Sequence, residues 1–256
     1  MIASRPDPGS FAVPEVVRAL AAGRSCEAVW RNELGGLTFR IDGGREYLKW
    51  DPAGLADERS RLEWAVEFTS VPRVLDSGDG WLRTAGMPGR SAVDERWLAD
   101  PATAVAAVGE GLRELHEALP VARCPFDWTT RARVEVAHER ARRGLLDPAR
   151  LQPEHRSLDI DAVLRALDDA PEPETVVCHG DACAPNTLVT DGGRVAGHVD
   201  LGSLGVGDRW ADLAVATWST AWNYGPGWER RLLDAYGISA DAERIAYHRL
   251  LWDVAS

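Results

Sequence analysis

Residues 175–202 read TVVCHGDACAPNTLVTDGGRVAGHVDLG, and no other stretch of the chain constrains its architecture as tightly. Two apolar runs, Thr187 to Val189 and Val195 to Val199, flank DGGR, where glycine accepts the positive φ that a tight reversal needs. A β-hairpin is expected. Asn186 enters its first strand and Asp200 leaves its second, so antiparallel pairing brings an amide oxygen and a carboxylate together within one or two residues of register. Hard oxygen ligands of this kind suit Mg²⁺, which keeps several waters and takes phosphate oxygens for the rest of its shell. Asp181 stands just ahead of the hairpin, in a loop shaped by Gly180 and Pro185, and is placed to face the same point.

A carboxylate at position 181 can accept a proton from an attacking hydroxyl and orient it, which is the task an aspartate performs in phosphoryl transfer. An isolated HGD would be ordinary turn chemistry. HGDxxxxN followed by a hairpin and DxG is far more specific. The imidazole of His179, in a loop rich in polar backbone, is expected to hold loop carbonyls in place rather than to move protons. Cys178, His179 and Cys183 lack the second cysteine pair of a zinc site, and the four cysteines are expected to be reduced thiols.

Upstream of residue 88 the chain is punctuated by strands. A short helix is expected from Val13 to Ala22, then strands at Ala28 to Trp30, Leu37 to Ile41 and Glu46 to Trp50, a helix from Ala56 to Phe68, and two further strand-like runs, VPRVLDSG and WLRTAG. Tyr47 and Lys49 lie two residues apart on one strand and share a face, with the ring and the ammonium about 7 Å apart. Such a pair can cover a nucleotide base and reach its phosphates. The following helix offers Glu58 to hold the lysine, with Glu63 as the rival on a different helix face. Beyond Pro88 the sequence turns Ala-, Leu- and Arg-rich, with helices expected near Pro101 to Leu119, Thr130 to Leu146, Leu158 to Leu167, Ala211 to Trp222 and Asp241 to Trp252. Only Thr175 to His198 breaks them with strands. The fold class is therefore α+β in two lobes: residues 1–86, a small antiparallel sheet with one helix, and residues 87–256, a larger helical lobe holding the hairpin.

The 256 residues, 45% hydrophobic, can bury a sizeable core, and no run approaches a membrane span. The N-terminal MIASRPDPGS lacks a basic, then apolar leader pattern, so a cytoplasmic protein is expected. A net charge of −11 argues against nucleic acid and anionic membranes as partners and favours cationic ligands. No Walker-type GxxxxGK[ST], dinucleotide fingerprint or GxSxG elbow occurs.

HGDACAPN, VDLGSLGVGDRWADLA, YLKW and DERSRLEW together resemble the aminoglycoside phosphotransferase family, small kinases distantly related in fold to protein kinases. The likeness covers nearly the whole chain, and RCPFDW after LREL makes it closest to the branch acting on 3′- or 3″-hydroxyls. The resemblance implies a protein-kinase-like fold binding Mg·ATP between its lobes and passing the γ-phosphoryl to a sugar hydroxyl of a cationic antibiotic, with resistance as the outcome. It implies Asp181 as catalytic base, Asn186 and Asp200 as magnesium ligands, Lys49 on the α- and β-phosphates and Glu58, rather than Glu63, as its helix partner. It further implies Tyr47 stacking on adenine, Thr84 and Ala85 in an inter-lobe linker that reads the adenine edge, and NELGG, with Gly35 and Gly36, as the loop over the phosphates.

Two departures matter. Ser203 stands where the family commonly has an arginine, which removes one positive group near the phosphates, and the chain ends in LLWDVAS rather than the acidic–aromatic run that contacts the antibiotic. Asp253 keeps one carboxylate there for a substrate ammonium. The rival readings are a kinase of the same fold acting on an amino-sugar or choline-like alcohol, and a nucleotide-binding module without turnover. Retention of Lys49, Glu58, Asp181, Asn186 and Asp200 disfavours the latter.

Overall fold

The computed structural model describes residues 6, 11–32 and 35–255. The chain divides into two compact units, Met1–Pro88 and Gly89–Ser256. In the first, helix α1 (Glu15–Ala21) is followed by strands β1 (Cys26–Arg31), β2 (Leu37–Ile41) and β3 (Glu46–Trp50), helix α2 (Ala56–Ala65), and strands β4 (Val74–Gly78) and β5 (Trp81–Ala85). The five strands form one antiparallel sheet in the order β1-β2-β3-β5-β4. Alternation decides which face is covered: Leu37, Phe39 and Ile41 of β2 and Leu48 of β3 pack with Val17 and Ala21 of α1. Because Leu48 belongs to that core, its neighbours Tyr47 and Lys49 emerge on the opposite face of the sheet.

The second unit runs β6 (Arg90–Ser91), α3 (Glu95–Leu98), α4 (Pro101–Ala118), α5 (Thr130–Arg142), α6 (Ile160–Asp168), β7 (Thr175–Cys178), β8 (Thr187–Val189), β9 (Val195–His198), β10 (Gly205–Asp208), α7 (Arg209–Tyr224), α8 (Glu229–Tyr236) and α9 (Ala242–Ala255). Most of its helices begin where the sequence supplies a cap. Asp100, Thr129, Asp159 and Asp208 each accept a hydrogen bond from a backbone N–H of the first turn, and Pro101 occupies the first helical position of α4. Every residue of α7 from Trp210 to Thr220 is buried, so this helix is the axis around which the unit packs. Among the described residues no helix is long and apolar enough to cross a membrane.

Most expected elements are present, with shorter ends. The helix expected to reach Leu146 stops at Arg142, ahead of Gly144 at φ 64°, and the one expected to reach Phe68 stops at Ala65. Four elements were not expected: β6, α3, α8 and β10. GVGD has the composition of a loop, yet it pairs antiparallel with β7, Gly205 opposite Cys178. Its glycines are required by a crossing segment, since a Cβ on Gly207 would lie 2.7 Å from the Trp128 carbonyl oxygen. Phe126 to Trp128 of the RCPFDW motif run along β10, where Val206 N–H donates to Phe126 O and Trp128 N–H donates to Val206 O.

Candidate active site

The hairpin forms in the expected register. Thr187 pairs with His198, and Val199 N–H donates to Asn186 O at 2.9 Å, which sets Asn186 and Asp200 side by side at the open end. Asp200 has φ 65°, a left-handed conformation that turns its carboxylate out of the strand line. Asn186 Nδ2 donates to Asp181 twice, to the backbone oxygen at 2.9 Å and to Oδ2 at 3.1 Å. With its amide nitrogen committed in this way, Asn186 has Oδ1 left for a cation. Burial raises the Asp181 carboxyl above its ordinary range and the nearby Asp200 charge adds to this, against hydrogen bonds from Cys183 and Asn186. Two carboxylates and an amide oxygen thus converge, with electrostatics that favour a cation among them.

The loop before the hairpin is held by groups outside it. Gly180, at φ 83°, sits so close to the chain that a Cβ would lie 2.2 Å from Ser203 O. His179 Nδ1 accepts from Asp181 N–H at 3.3 Å, and Nε2 donates to Val199 O at 3.0 Å, so its imidazole holds the loop against the hairpin. Asp212 of α7, 1% exposed, receives His179 N–H at 2.6 Å and Gly180 N–H at 2.9 Å. Burial alone would raise the Asp212 carboxyl, but the His116 hydrogen bond and the surrounding donors hold it below its ordinary value. Ser219, two turns further along α7, accepts from Ala184 N–H at 2.8 Å. Sequence reasoning missed Asp212 and Ser219 as loop anchors. The only signal for the first is its place in DRWADLA, and nothing local marks the second.

In the first unit Lys49 Nζ meets Glu58 Oε1 at 2.6 Å, with side-chain exposures of 22% and 6%. Glu63 instead pairs with Arg59 at 2.9 Å on an open helix face, with both side chains about half exposed. Tyr47 lies on the same sheet face as Lys49, opposite Thr84 in the register. Thr84 and Ala85 are residues of strand β5 rather than a free linker. Ala85 N–H donates to Arg73 O at 2.9 Å and Gly86 N–H to Arg45 O at 2.7 Å, so these two amides are engaged within the unit. Within NELGG, Glu33 and Leu34 lie outside the described residues; Gly35 is left-handed, and Gly36 N–H donates to Asn32 Oδ1 at 2.6 Å.

Asp253 differs from its expected role as an acceptor carboxylate. Its side chain is 5% exposed, and its Oδ2 accepts from Gln152 N–H at 2.8 Å and from His155 Nδ1 at 2.7 Å. The reason lies in PEHRS: His155 folds against Trp218 and reaches α9. Asp253→Ala would strand both donors, and a loss of about 1–3 kcal/mol in unfolding free energy is expected from urea titration, with no change in acceptor KM. Unchanged stability with a raised acceptor KM would return Asp253 to the substrate side.

Residues 16–250 match the family model described as the phosphotransferase enzyme family, known as APH. The chain belongs to this phosphotransferase family. It is 37% identical over 251 residues to an aminoglycoside 3′-phosphotransferase of Streptomyces fradiae, covering 88% of this chain and 92% of that one. It is 35% identical to the streptomycin 3″-kinase of Streptomyces griseus, covering 96% and 97%. Among solved structures, the aminoglycoside phosphotransferase APH(3″)-Id of Streptomyces rimosus superposes with a TM-score of 0.77 at 29% identity, over 94% of this chain and 96% of that one. These phosphotransferases share the kinase-like α+β fold described above.

Proposed function

We propose that this phosphotransferase is an aminoglycoside O-kinase that transfers the γ-phosphoryl of ATP to a 3′- or 3″-hydroxyl, with Mg²⁺, in the cytoplasm, and so confers resistance. The observation that carries the reading is the convergence of Asp181, Asn186 and Asp200 at the open end of one hairpin. The relatives' names support the acceptor class, and one related structure is a complex with ADP and streptomycin.

On this reading Asp181 accepts the proton of the acceptor hydroxyl and orients its oxygen in line with the γ-phosphorus. Asn186 Oδ1 and Asp200 are the groups that would hold magnesium, and two protein ligands leave most of the octahedral shell to phosphate and water. Bound magnesium supplies charge neutralisation for the transferring group. Lys49, fixed by Glu58, meets the α- and β-phosphates, and Tyr47 on the same face covers the base. Releasing the lysine is informative. Glu58→Gln is expected to raise KM for ATP about tenfold while acceptor KM stays put, whereas Glu63→Gln should be silent because its pair with Arg59 is exposed.

A second reading has its own support. The engaged Asp253 carboxylate fits an acceptor with fewer positive charges, such as an amino-sugar or choline-like alcohol. A choline/ethanolamine kinase family protein of Mesorhizobium loti shares the fold, with a TM-score of 0.63 at 21% identity. Phosphate transfer to kanamycin, neomycin, streptomycin and hygromycin separates the two. Turnover with at least one, its product phosphorylated at the 3′ or 3″ position by NMR, is the expected result. Transfer to none of them, with turnover of a small alcohol, would replace the antibiotic by the metabolite.

A further inference from the structure

Asp212 is itself held from behind, by groups that touch neither the loop nor any reacting atom. His116 of α4 points Nε2 at Asp212 Oδ2 at 2.9 Å, and its Nδ1 lies 2.8 Å from the Tyr236 hydroxyl at the end of α8. The side chains of His116 and Asp212 are 2% and 1% exposed, and Tyr236 is buried. Burial pushes the Tyr236 phenol up to about 12, so it keeps its proton near neutral pH. Asp212, a carboxylate, can only accept: it takes Nε2–H of His116 and the two peptide N–H groups that precede Asp181, while Nδ1 and the Tyr236 hydroxyl share the outer hydrogen bond. The close approach of α8 to α4 needs Gly109, where a Cβ would lie 2.4 Å from Leu232 O.

A carboxylate that takes three hydrogen bonds has its rotation set by all three donors. Asp212 Oδ2 is shared between His179 N–H and His116, while Oδ1 serves Gly180 N–H. Without His116 the hydrogen bonds left to the carboxylate, among the described residues, are those from the loop that it should be holding. The geometry points to His116 and Tyr236 as positioning residues for phosphoryl transfer, acting through Asp212 to fix the backbone on which Asp181 stands. This rests on Asp181 as the hydroxyl-orienting group. A misplacement near 1 Å at the reacting centre costs about 10²-fold in rate, so a relay of this kind should appear in kcat and leave nucleotide affinity alone.

Two variants of similar size and polarity separate positioning from simple packing. The amide of His116→Gln reaches the place of Nε2 and can still donate to Asp212, whereas His116→Asn ends near the place of Nδ1 and falls short. His116→Asn is expected to lose about 10²-fold in kcat with KM for ATP within about twofold, and His116→Gln to recover most of that loss. Tyr236→Phe, which removes only the outer hydroxyl, should lose about three- to tenfold in kcat. Each is assayed well below its own melting temperature, with nucleotide binding by calorimetry giving the folded, competent fraction. Adding His116→Asn to Asp181→Asn should cost little more than Asp181→Asn alone, because the relay has then lost the group it positions. Equal kcat in the Asn and Gln variants, at wild-type level or lowered alike, overturns the proposal, as does full additivity in the double variant. Loss at Asp181 with none at His116 overturns the relay alone, whereas wild-type turnover in Asp181→Asn overturns the assignment of Asp181 and the relay with it.

Discussion

Asp181→Asn is expected to bind nucleotide normally and to turn over about 10²–10⁴-fold more slowly than the wild-type chain. The substitution preserves shape, and an amide oxygen can still accept from Asn186 Nδ2, so the loop and hairpin should keep their geometry. What disappears is the ability to take a proton from the acceptor hydroxyl. Burial and the Asp200 charge both raise the Asp181 carboxyl, so the acid limb of kcat/KM in the wild-type chain should lie above the ordinary carboxylate range. Activity rises with pH along that limb, because the ionised carboxylate is the active form, and the limb should vanish in Asp181→Asn. Single-turnover measurements with saturating ATP test this directly. A variant with nearly normal turnover, or one that keeps the acid limb, would move the base elsewhere.

Asp200→Ala should remove magnesium-dependent turnover altogether, to below about 10⁻³ of wild type at ordinary magnesium concentrations. Asn186 would be left as a single neutral ligand, and a small divalent cation that gives up its waters reluctantly is not retained by one amide oxygen. The variant should stay folded, since removing one of two neighbouring acids relieves the repulsion that raises Asp181. A magnesium titration with ATP held constant is the informative measurement: partial recovery at high magnesium fits a weakened site, and undiminished activity at low magnesium would rule Asp200 out as a ligand.

The parts of this site that could be read in advance are those built from short-range pattern. DGGR between two apolar runs defines the hairpin, and its register follows from the strand period, so Asn186 and Asp200 could be paired before any coordinates. Lys49 was legible from the face of its strand, whereas the pattern left Glu58 and Glu63 both open as its partner and the family resemblance chose Glu58, the residue it meets at 2.6 Å. Anchors that arrive from far along the chain were not legible. His116 reaches Asp212 across 96 residues and Tyr236 across 120, and no periodicity in either segment encodes that meeting. Asp253 was assigned to the acceptor by likeness to the family's acidic C-terminal run, and its partner His155, 98 residues away in a stretch without regular pattern, could not be foreseen. The GVGD strand was not anticipated because glycine content, which ordinarily argues against a strand, was here demanded by the segment packed over it.

Helix α7 carries a consequence for how this protein would lose activity under stress. The groups that hold the loop, Asp212 and Ser219, come from a helix with no solvent-facing residue between Trp210 and Thr220. Such a helix has no fraying side, and its amides should exchange with deuterium only when the surrounding helical unit opens as a whole. The loop inherits that cooperativity. Heat or denaturant would therefore not soften it first and leave an inactive but folded protein; turnover and the helical unit should be lost in one concerted event.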